Sequence, residues 1–214
     1  MTVHALNSPN DTVTNGPALV QASLTDFWKW AMADLCDDDV KGWFAEWLVL
    51  KLLGVESRRR VSWSNSDVVT ESGVRVEVKA SAYWQSWKVL DEFGKPMSER
   101  KYRDGPDSSV RFGGLRARDS SGVTDMAKDR ALKSELYVFA FQHERDIVKW
   151  NAMDLSQWEF YVLTSVEVAS IAPARSVSLT RLRSLQLPLS AEAFVPVALE
   201  KIEAIARSRN DRPV

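Results

Sequence analysis

Strict alternation of apolar and polar side chains from Val74 to Ser81 is the feature that most constrains how this chain folds. Valines and one alanine fill every second position, and Arg75, Glu77, Lys79 and Ser81 stand between them. Successive side chains of a β-strand point to opposite faces, so the pattern predicts a strand with one face in a hydrophobic core. The same geometry places the carboxylate of Glu77 and the ammonium of Lys79 side by side.

Other β segments surround this strand in the sequence. A turn signal at Glu71–Gly73 separates it from Ser66–Thr70, which predicts an antiparallel hairpin. Apolar runs at Glu135–Gln142 and Glu159–Thr164 predict two later buried strands, and Arg59–Trp63 predicts an earlier one.

Helical segments lie on both sides of these strands. Residues 23–36 begin with a Ser or Thr capping residue, and residues 40–53 form a second predicted helix. Apolar residues lie almost all round this second helix, which predicts that it is largely buried. Residues 165–171 and 191–207 predict two further helices. The order of elements predicts an α/β (α+β) domain with a mixed central β-sheet flanked by helices.

Length and composition predict the domain organisation. The 214 residues suit one compact domain, predicted over residues 23–214 with a polar insertion at about 91–130. Residues 1–22 lack the basic start and apolar centre of a signal peptide, and we expect a flexible leader there. No apolar run reaches roughly 18 residues, so no membrane-spanning helix is expected.

Residue counts restrict the metal chemistry. The single cysteine, Cys36, cannot form an internal disulfide, and with only two histidines the chain is poorly suited to zinc. A metal would therefore be held mainly by carboxylates, which favours Mg²⁺ or Mn²⁺. A reducing cytoplasm is the expected location.

Charge is unevenly placed along the chain. Residues 47–133 carry 17 Lys and Arg against 12 Asp and Glu, whereas residues 1–46 carry 2 against 7. The middle region is therefore suited to phosphate contacts with a polyanion, although a mixed solvated surface explains the count equally well. The nine tryptophans are expected mostly in the core.

Acidic residues before Glu77 suggest a shared site. Asp67 lies ten residues earlier, and the predicted hairpin would bring it beside Glu77. Two carboxylates so close repel each other unless a cation lies between them, which suggests metal binding. An ordinary surface ion pair between Glu77 and Lys79 is the alternative.

Glu46 is a further candidate, on the predicted buried helix. It shares a helix face with Val49, Leu50 and Leu53, where a carboxylate is costly unless it is paired or bound to a cation. An ion pair with a nearby arginine, or a helix rotated so that Glu46 reaches water, would explain it without a role in the site.

The order of Glu46, Asp67, a short hairpin, the Glu77-Val78-Lys79 triplet and Gln85 resembles the PD-(D/E)XK (restriction-endonuclease-like) nucleases. The resemblance implies a mixed sheet flanked by helices and Mg²⁺-dependent cleavage of phosphodiester bonds. It implies that Asp67 and Glu77 are metal ligands, that Lys79 is the catalytic lysine and that Glu46 is an accessory acid at the metal. Gln85 matches a glutamine that some members place beside the centre.

The resemblance covers about residues 40–88, and Glu135–Thr164 supplies plausible later strands. One departure is that Ser66 precedes Asp67, where the family motif has proline. Candidate phosphate contacts are six arginines, for which a solvated charged surface is the alternative: Arg58, Arg59, Arg60, Arg111, Arg116 and Arg118.

Three hypotheses follow for function. The leading one is a metal-dependent DNA endonuclease that uses Mg²⁺ (or Mn²⁺) and water as the nucleophile. The second is a catalytically inactive nucleic-acid-binding or assembly module on the same fold. The third is an unrelated α/β protein in which the Glu-x-Lys pattern is coincidental. Many nucleases of this family act as dimers, which adds a homodimer as a hypothesis.

Overall fold

A computed structural model of the chain describes residues 7–15, 18–56, 60, 64, 66–86, 89–90, 96–98, 101–102, 107–115, 132–171 and 176–210. The chain divides into two compact units, Met1–Leu35 and Cys36–Val214. The division after Leu35 differs from the boundary after residue 22 that composition predicts.

The first unit contains a hairpin followed by a helix. Strand β1 (Thr12–Asn15) pairs antiparallel with β2 (Ala18–Ser23), and α1 (Leu24–Met32) follows at once. The predicted serine cap is confirmed, because the Ser23 hydroxyl accepts from the N–H of Asp26 and the Asp26 carboxylate accepts from the N–H of Ser23. The leader predicted over residues 1–22 thus contains a hydrogen-bonded hairpin, which composition alone did not reveal.

The second unit contains the remaining helices and strands. In chain order they are α2 (Asp38–Leu52), β3 (Val68–Val69), β4 (Arg75–Ala82), β5 (Trp84–Gln85), β6 (Val89–Leu90), β7 (Pro96–Ser98), β8 (Lys101–Tyr102), β9 (Arg111–Phe112), β10 (Leu136–Gln142), β11 (Trp158–Thr164), α3 (Ser165–Ile171), β12 (Val177–Ser178), α4 (Leu179–Leu185) and α5 (Ala191–Asn210). This is the α+β class that the sequence predicts.

A mixed four-stranded sheet, in the order β11-β10-β4-β3, forms the centre of this unit. Strand β10 runs parallel to β4 and antiparallel to β11, and β3 pairs antiparallel with β4. The predicted hairpin is confirmed, with Gly73 in the turn at a φ of 76°. Only two residues of β3 pair with β4, fewer than the five predicted. The strand predicted at Arg59–Trp63 lies outside the described residues, apart from Arg60.

Helices α2 and α5 cover one face of the central sheet. Phe160 of β11 lies in the same row as Ala80 of β4 through the strand register. Its ring lies 4.9 Å from that of Phe194 in α5, and the neighbouring Trp158 lies 6.1 Å from Phe44 in α2. The apolar side chains of the alternating strand β4 are therefore packed under these two helices.

The opposite face carries Glu77 and Lys79, and a second group of elements covers it. Phe139 lies in register with Lys79, and its ring is 5.3 Å from that of Phe112 in β9. Side chains of α3 and α4 join the same buried cluster. Glu77 and Lys79 therefore lie on the same sheet face as a buried cluster of aromatic side chains.

Part of the predicted polar insertion belongs to this core. Its described strands pair as β5 with β8 and β6 with β7. However, Val110, Phe112 and Leu115 are buried in the aromatic cluster, and β9 pairs with β12. Within the predicted polar insertion, Val110 and Phe112 therefore face inward and belong to the core, while Arg111 between them is exposed.

Helix α2 is more exposed on its outer side than its composition predicts. Val40, Ala45, Leu48 and Val49 face the sheet, but Trp43 and Trp47 are 38% and 44% exposed. The expectation of a largely buried helix was therefore wrong.

The tryptophans in the described part of the chain are also less buried than expected. Trp158 is fully buried, whereas Trp28, Trp30, Trp43 and Trp47 are exposed. In the part of the chain that the structure describes, no helix has both the length and the apolar character needed to cross a membrane.

Candidate active site

Asp67 is fixed at the edge of the sheet, immediately before β3 begins. The pairing of Val68 with Val76 and of Val69 with Arg75, continued by one residue, places Asp67 opposite Glu77. Instead of extending the ladder, the Oδ2 atom of Asp67 accepts a hydrogen bond of 2.8 Å from the N–H of Val78. The carboxylate therefore takes the place of the missing strand partner and is held against β4.

Glu77 and Lys79 form a close ion pair on one face of β4. The Oε1 atom of Glu77 lies 2.7 Å from Nζ of Lys79, and Ser134 donates a long hydrogen bond of 3.4 Å to Oε2 of Glu77. The side chains of Glu77 and Lys79 are only 17% and 22% exposed. The pair is therefore largely shielded, which distinguishes it from an ordinary ion pair on an open strand face.

Negative charge is incompletely compensated at this edge. Burial of the carboxyl, followed by the charges of Glu77 and Glu46, raises the pKa of Asp67 to about 7. The N–H of Val78 and the ammonium of Lys79 oppose the rise but do not cancel it. A cation bound between Asp67 and Glu77 would relieve this repulsion, and carboxylate oxygens are suited to Mg²⁺ or Mn²⁺.

Glu46 extends from α2 and is held by an arginine. Its carboxylate accepts two hydrogen bonds from Arg60, at 2.7 Å from Nε and 3.1 Å from Nη2. The same guanidinium lies over the ring of Trp43, 5.4 Å from its centroid. The ion pair that the sequence left open is thus present, yet Glu46 also lies close enough to raise the pKa of Asp67.

The described carboxylates do not form a three-ligand cluster. In the ranges that the structure describes, no group of three or more His, Cys, Asp or Glu side chains is placed to hold an ion. Asp67 and Glu77 lie opposite each other by strand register, and the charge of Glu77 contributes to the raised pKa of Asp67. Glu46 lies nearby with its oxygens engaged by Arg60.

Gln85 is buried just beyond the end of β4 and does not bond to the Glu77–Lys79 ion pair. Its Nε2 donates to the carbonyl of Ala82 at 2.6 Å, and its Oε1 accepts from Nζ of Lys41 at 3.4 Å. Lys41 is itself buried and pairs with Asp38 at 2.7 Å. These contacts tie the end of β4 to α2, and Gln85 makes no hydrogen bond to Glu77 or Lys79.

No model of a known family, no curated protein and no solved structure matches this chain.

Two neighbours of the ion pair were missed by sequence reasoning. Ser134 precedes β10 and reaches Glu77, and Gly114 lies near the end of Lys79, where an added Cβ would be 3.7 Å from Nζ. Gly114 has a φ of 67°, and the Gly113-Gly114 pair was a sequence signal for an unusual backbone conformation. Ser134 carried no signal, since its contact spans 57 residues of sequence.

The six candidate phosphate contacts are only partly described. Arg60 binds Glu46, and Arg111 is exposed and donates to the hydroxyl of Ser176 at 3.2 Å. The other four lie outside the described residues: Arg58, Arg59, Arg116 and Arg118.

Proposed function

We propose that this chain is a Mg²⁺-dependent (or Mn²⁺-dependent) endonuclease that hydrolyses phosphodiester bonds in DNA, with a restriction-endonuclease-like site. The observation that carries the proposal is the convergence of Asp67, Glu77 and Lys79 at the β3–β4 edge. Asp67 has a pKa of about 7 there, because burial and the charge of Glu77 oppose its ionisation. Such an edge has the donors and the excess negative charge that a divalent cation requires.

Asp67 and Glu77 would hold the cation, with Glu46 as an accessory acid. Asp67 is positioned for this by the N–H of Val78, which orients Oδ2. A divalent cation, when bound, supplies positive charge that polarises the phosphoryl group. Glu46 adds negative charge without a direct bond, since Arg60 occupies its oxygens.

Lys79 would act on the attacking water or on the charge that develops on the phosphate. Its ammonium is partly shielded, which strengthens its electrostatic effect relative to a lysine in open solvent. In the present arrangement it neutralises Glu77 at 2.7 Å. If a cation held by Asp67 and Glu77 offset the charge of Glu77, Lys79 would be able to turn toward a phosphate.

DNA would be held by arginines around the site, among them Arg60 and Arg111, both of which are exposed at the surface. One centre of this kind cuts one strand, so cleavage of both strands of a duplex would require two copies, which favours a homodimer. Light scattering with and without duplex DNA measures this directly.

A non-catalytic nucleic-acid-binding or assembly module is the second candidate. It is favoured by the pairing of Lys79 with Glu77 and of Arg60 with Glu46, which leaves these charges mutually satisfied. The lack of a three-ligand group among the described residues also favours it.

A cleavage assay separates the candidates. Purified protein is incubated with duplex, single-stranded and branched DNA and with RNA, in Mg²⁺, in Mn²⁺ or in a chelator. A Lys79→Ala variant prepared in the same way controls for contaminating nucleases. We expect cutting of DNA by the wild-type protein with a cation and none with the chelator or the variant. Binding without cutting would support the module, and absence of both metal and DNA binding would make the Glu-x-Lys pattern coincidental.

A further inference from the structure

Two tryptophans lie on the outer side of α2, beside the candidate active site. Trp43 and Trp47 are 38% and 44% exposed, although an indole is a large apolar group. They are four residues apart on the helix, so they share one helix face and lie about 6 Å apart along its axis. Glu46, whose charge acts on Asp67, lies between them in the sequence. The helix thus presents two neighbouring indoles next to an acidic group of the site.

Packing beneath the helix holds the second indole in place. The ring of Trp47 lies 5.7 Å from that of Phe44, and Phe44 lies 6.1 Å from Trp158, which is buried in β11. Trp47 therefore ends a series of aromatic contacts that begins in the core. Its position is set by this packing, while its outer part stays exposed.

An arginine lies over the first indole. The guanidinium of Arg60 is 5.4 Å from the ring centroid of Trp43, and it donates two hydrogen bonds to the carboxylate of Glu46. These bonds orient the guanidinium plane, yet the side chain of Arg60 is 46% exposed. We call the exposed surface formed by Trp43, Trp47 and Arg60 the tryptophan face.

The chemistry of the tryptophan face matches the faces of nucleic-acid bases. Aromatic rings and guanidinium planes are the groups on which proteins stack unpaired bases. In a duplex the bases cover one another and present only their edges in the grooves. The tryptophan face would therefore contact bases only where a strand is unpaired.

Arg60 also argues against a purely apolar partner. Such a partner would cover the guanidinium of Arg60 and the carboxylate of Glu46 together with the indoles. Removing these charges from water is costly, even though they pair with each other. A nucleotide avoids this cost, because its base can lie on the indole while its phosphate accepts from the exposed guanidinium.

We propose that the tryptophan face binds unpaired nucleotides by stacking and that it makes single-stranded or frayed DNA the preferred substrate of the adjacent site. This inference rests on the nuclease function proposed above. Stacking on bases away from the reacting phosphate stabilises bound substrate and transition state alike. The tryptophan face should therefore affect KM rather than kcat.

The binding test uses three oligonucleotides of equal length in a chelator, which prevents cutting. They are single-stranded oligothymidine, the same strand with abasic sites in place of its bases, and a duplex. The abasic strand keeps the phosphates and lacks the bases, so it separates stacking from charge. Fluorescence anisotropy measures Kd for each, and the wild type should bind oligothymidine more tightly than the other two.

Two substitutions remove the indoles one at a time. Trp43→Ala and Trp47→Ala should each weaken oligothymidine binding by about 5-fold to 150-fold and leave binding of the abasic strand unchanged. Trp47→Phe keeps an aromatic ring at that position and should lose less than Trp47→Ala. Trp30→Ala is the matched control, because Trp30 is 83% exposed and belongs to α1 in the first unit. It should bind every strand like the wild type, and circular dichroism checks that each variant is folded.

Cleavage kinetics separate this inference from the proposed function. With Mg²⁺, Trp47→Ala should raise KM for single-stranded DNA by a factor similar to its loss in affinity, with kcat nearly unchanged. A base preference that both tryptophan variants lose, in a protein that cuts no DNA, would support the tryptophan face and refute the nuclease.

Three results would overturn the inference and leave the nuclease intact. The first is equal affinity of the wild type for oligothymidine and the abasic strand. The second is an equal loss of oligothymidine binding in Trp30→Ala. The third is a wild-type dimer, measured by light scattering, that Trp43→Ala or Trp47→Ala dissociates, because a second copy of the chain would then cover the indoles.

Discussion

Oδ2 of Asp67 accepts a hydrogen bond from the backbone N–H of Val78 across 2.8 Å, at the point where β3 stops pairing with β4. The bond replaces one ladder bond and holds the carboxylate beside Glu77. The pKa of Asp67 rises to about 7 because the carboxyl is buried and because Glu77 and Glu46 are negative. Because β3 begins one residue after Asp67 rather than at it, the carboxylate is held beside Glu77 and its charge is poorly compensated.

Asp67→Ala should abolish Mn²⁺ binding. The substitution removes one of the two carboxylates proposed as ligands and leaves Glu77 paired with Lys79. Isothermal titration of the wild type and the variant measures the loss. Asp146→Ala, which removes an exposed aspartate that pairs with Lys149, is the control and should bind Mn²⁺ like the wild type. Equal affinity in the Asp67 variant would refute the assignment of the ligand.

The metal-free protein should lose stability as the pH rises through the interval between about 4 and about 7. The folded-state pKa of Asp67, about 7, lies above its ordinary value of 3.8, so the folded state binds a proton more tightly than the unfolded chain does. Below this interval both states are protonated, and above it the folded state carries the cost of ionising Asp67.

Asp67→Asn should remove this pH dependence, because its amide does not ionise. Urea unfolding with a chelator at pH about 5 and about 8 should show the wild type losing about 2 to 4 kcal/mol more than the variant. Parallel stability profiles would mean that Asp67 ionises normally in the folded protein.

Much of the central sheet was predictable because strand alternation is a local signal. The period of two residues in β4 and the turn before it predicted both the hairpin and the faces of the strand. The outer side of α2 was not predictable in the same way. When nearly every position of a helix is apolar, periodicity does not show which side meets water. The helix was therefore predicted to be largely buried, although Trp43 and Trp47 are exposed.

In the candidate site too, contacts between residues close in sequence were predictable and contacts between distant residues were not. The spacing of Asp67, Glu77 and Lys79 predicted their proximity because one short turn joins them. The partner of Glu46 required tertiary structure, since sequence indicated an arginine but not which one. Gly114 is 35 positions beyond Lys79. The glycine pair at 113–114 indicated an unusual backbone there, but nothing local to either residue predicted that the two would lie close together.

Glu46→Gln should weaken Mn²⁺ binding by about 10-fold without abolishing it. Glu46 contributes negative charge near Asp67, although its oxygens are bound by Arg60. Residues that act on a metal through its ligands typically change its affinity by about 10-fold to 100-fold. Titration of Glu46→Gln beside Asp67→Ala ranks the two contributions. Wild-type affinity in Glu46→Gln would leave Glu46 as the structural partner of Arg60 alone.

Lys79→Ala should abolish cleavage while leaving metal and DNA binding largely intact. The lysine is proposed to act on the attacking water or on transition-state charge, and loss of such an interaction costs about 10² to 10³ in rate. Mn²⁺ affinity should be retained or rise, because the variant removes a cation that competes for Glu77 at 2.7 Å. Lys149→Ala, at an exposed ion pair with Asp146, is the matched control and should cut at the wild-type rate. Single-turnover kinetics with Mg²⁺, together with titration of Mn²⁺ and DNA, separates the rate from the affinities. A Lys79→Ala variant that cuts at the wild-type rate would reduce Lys79 to a partly buried partner of Glu77.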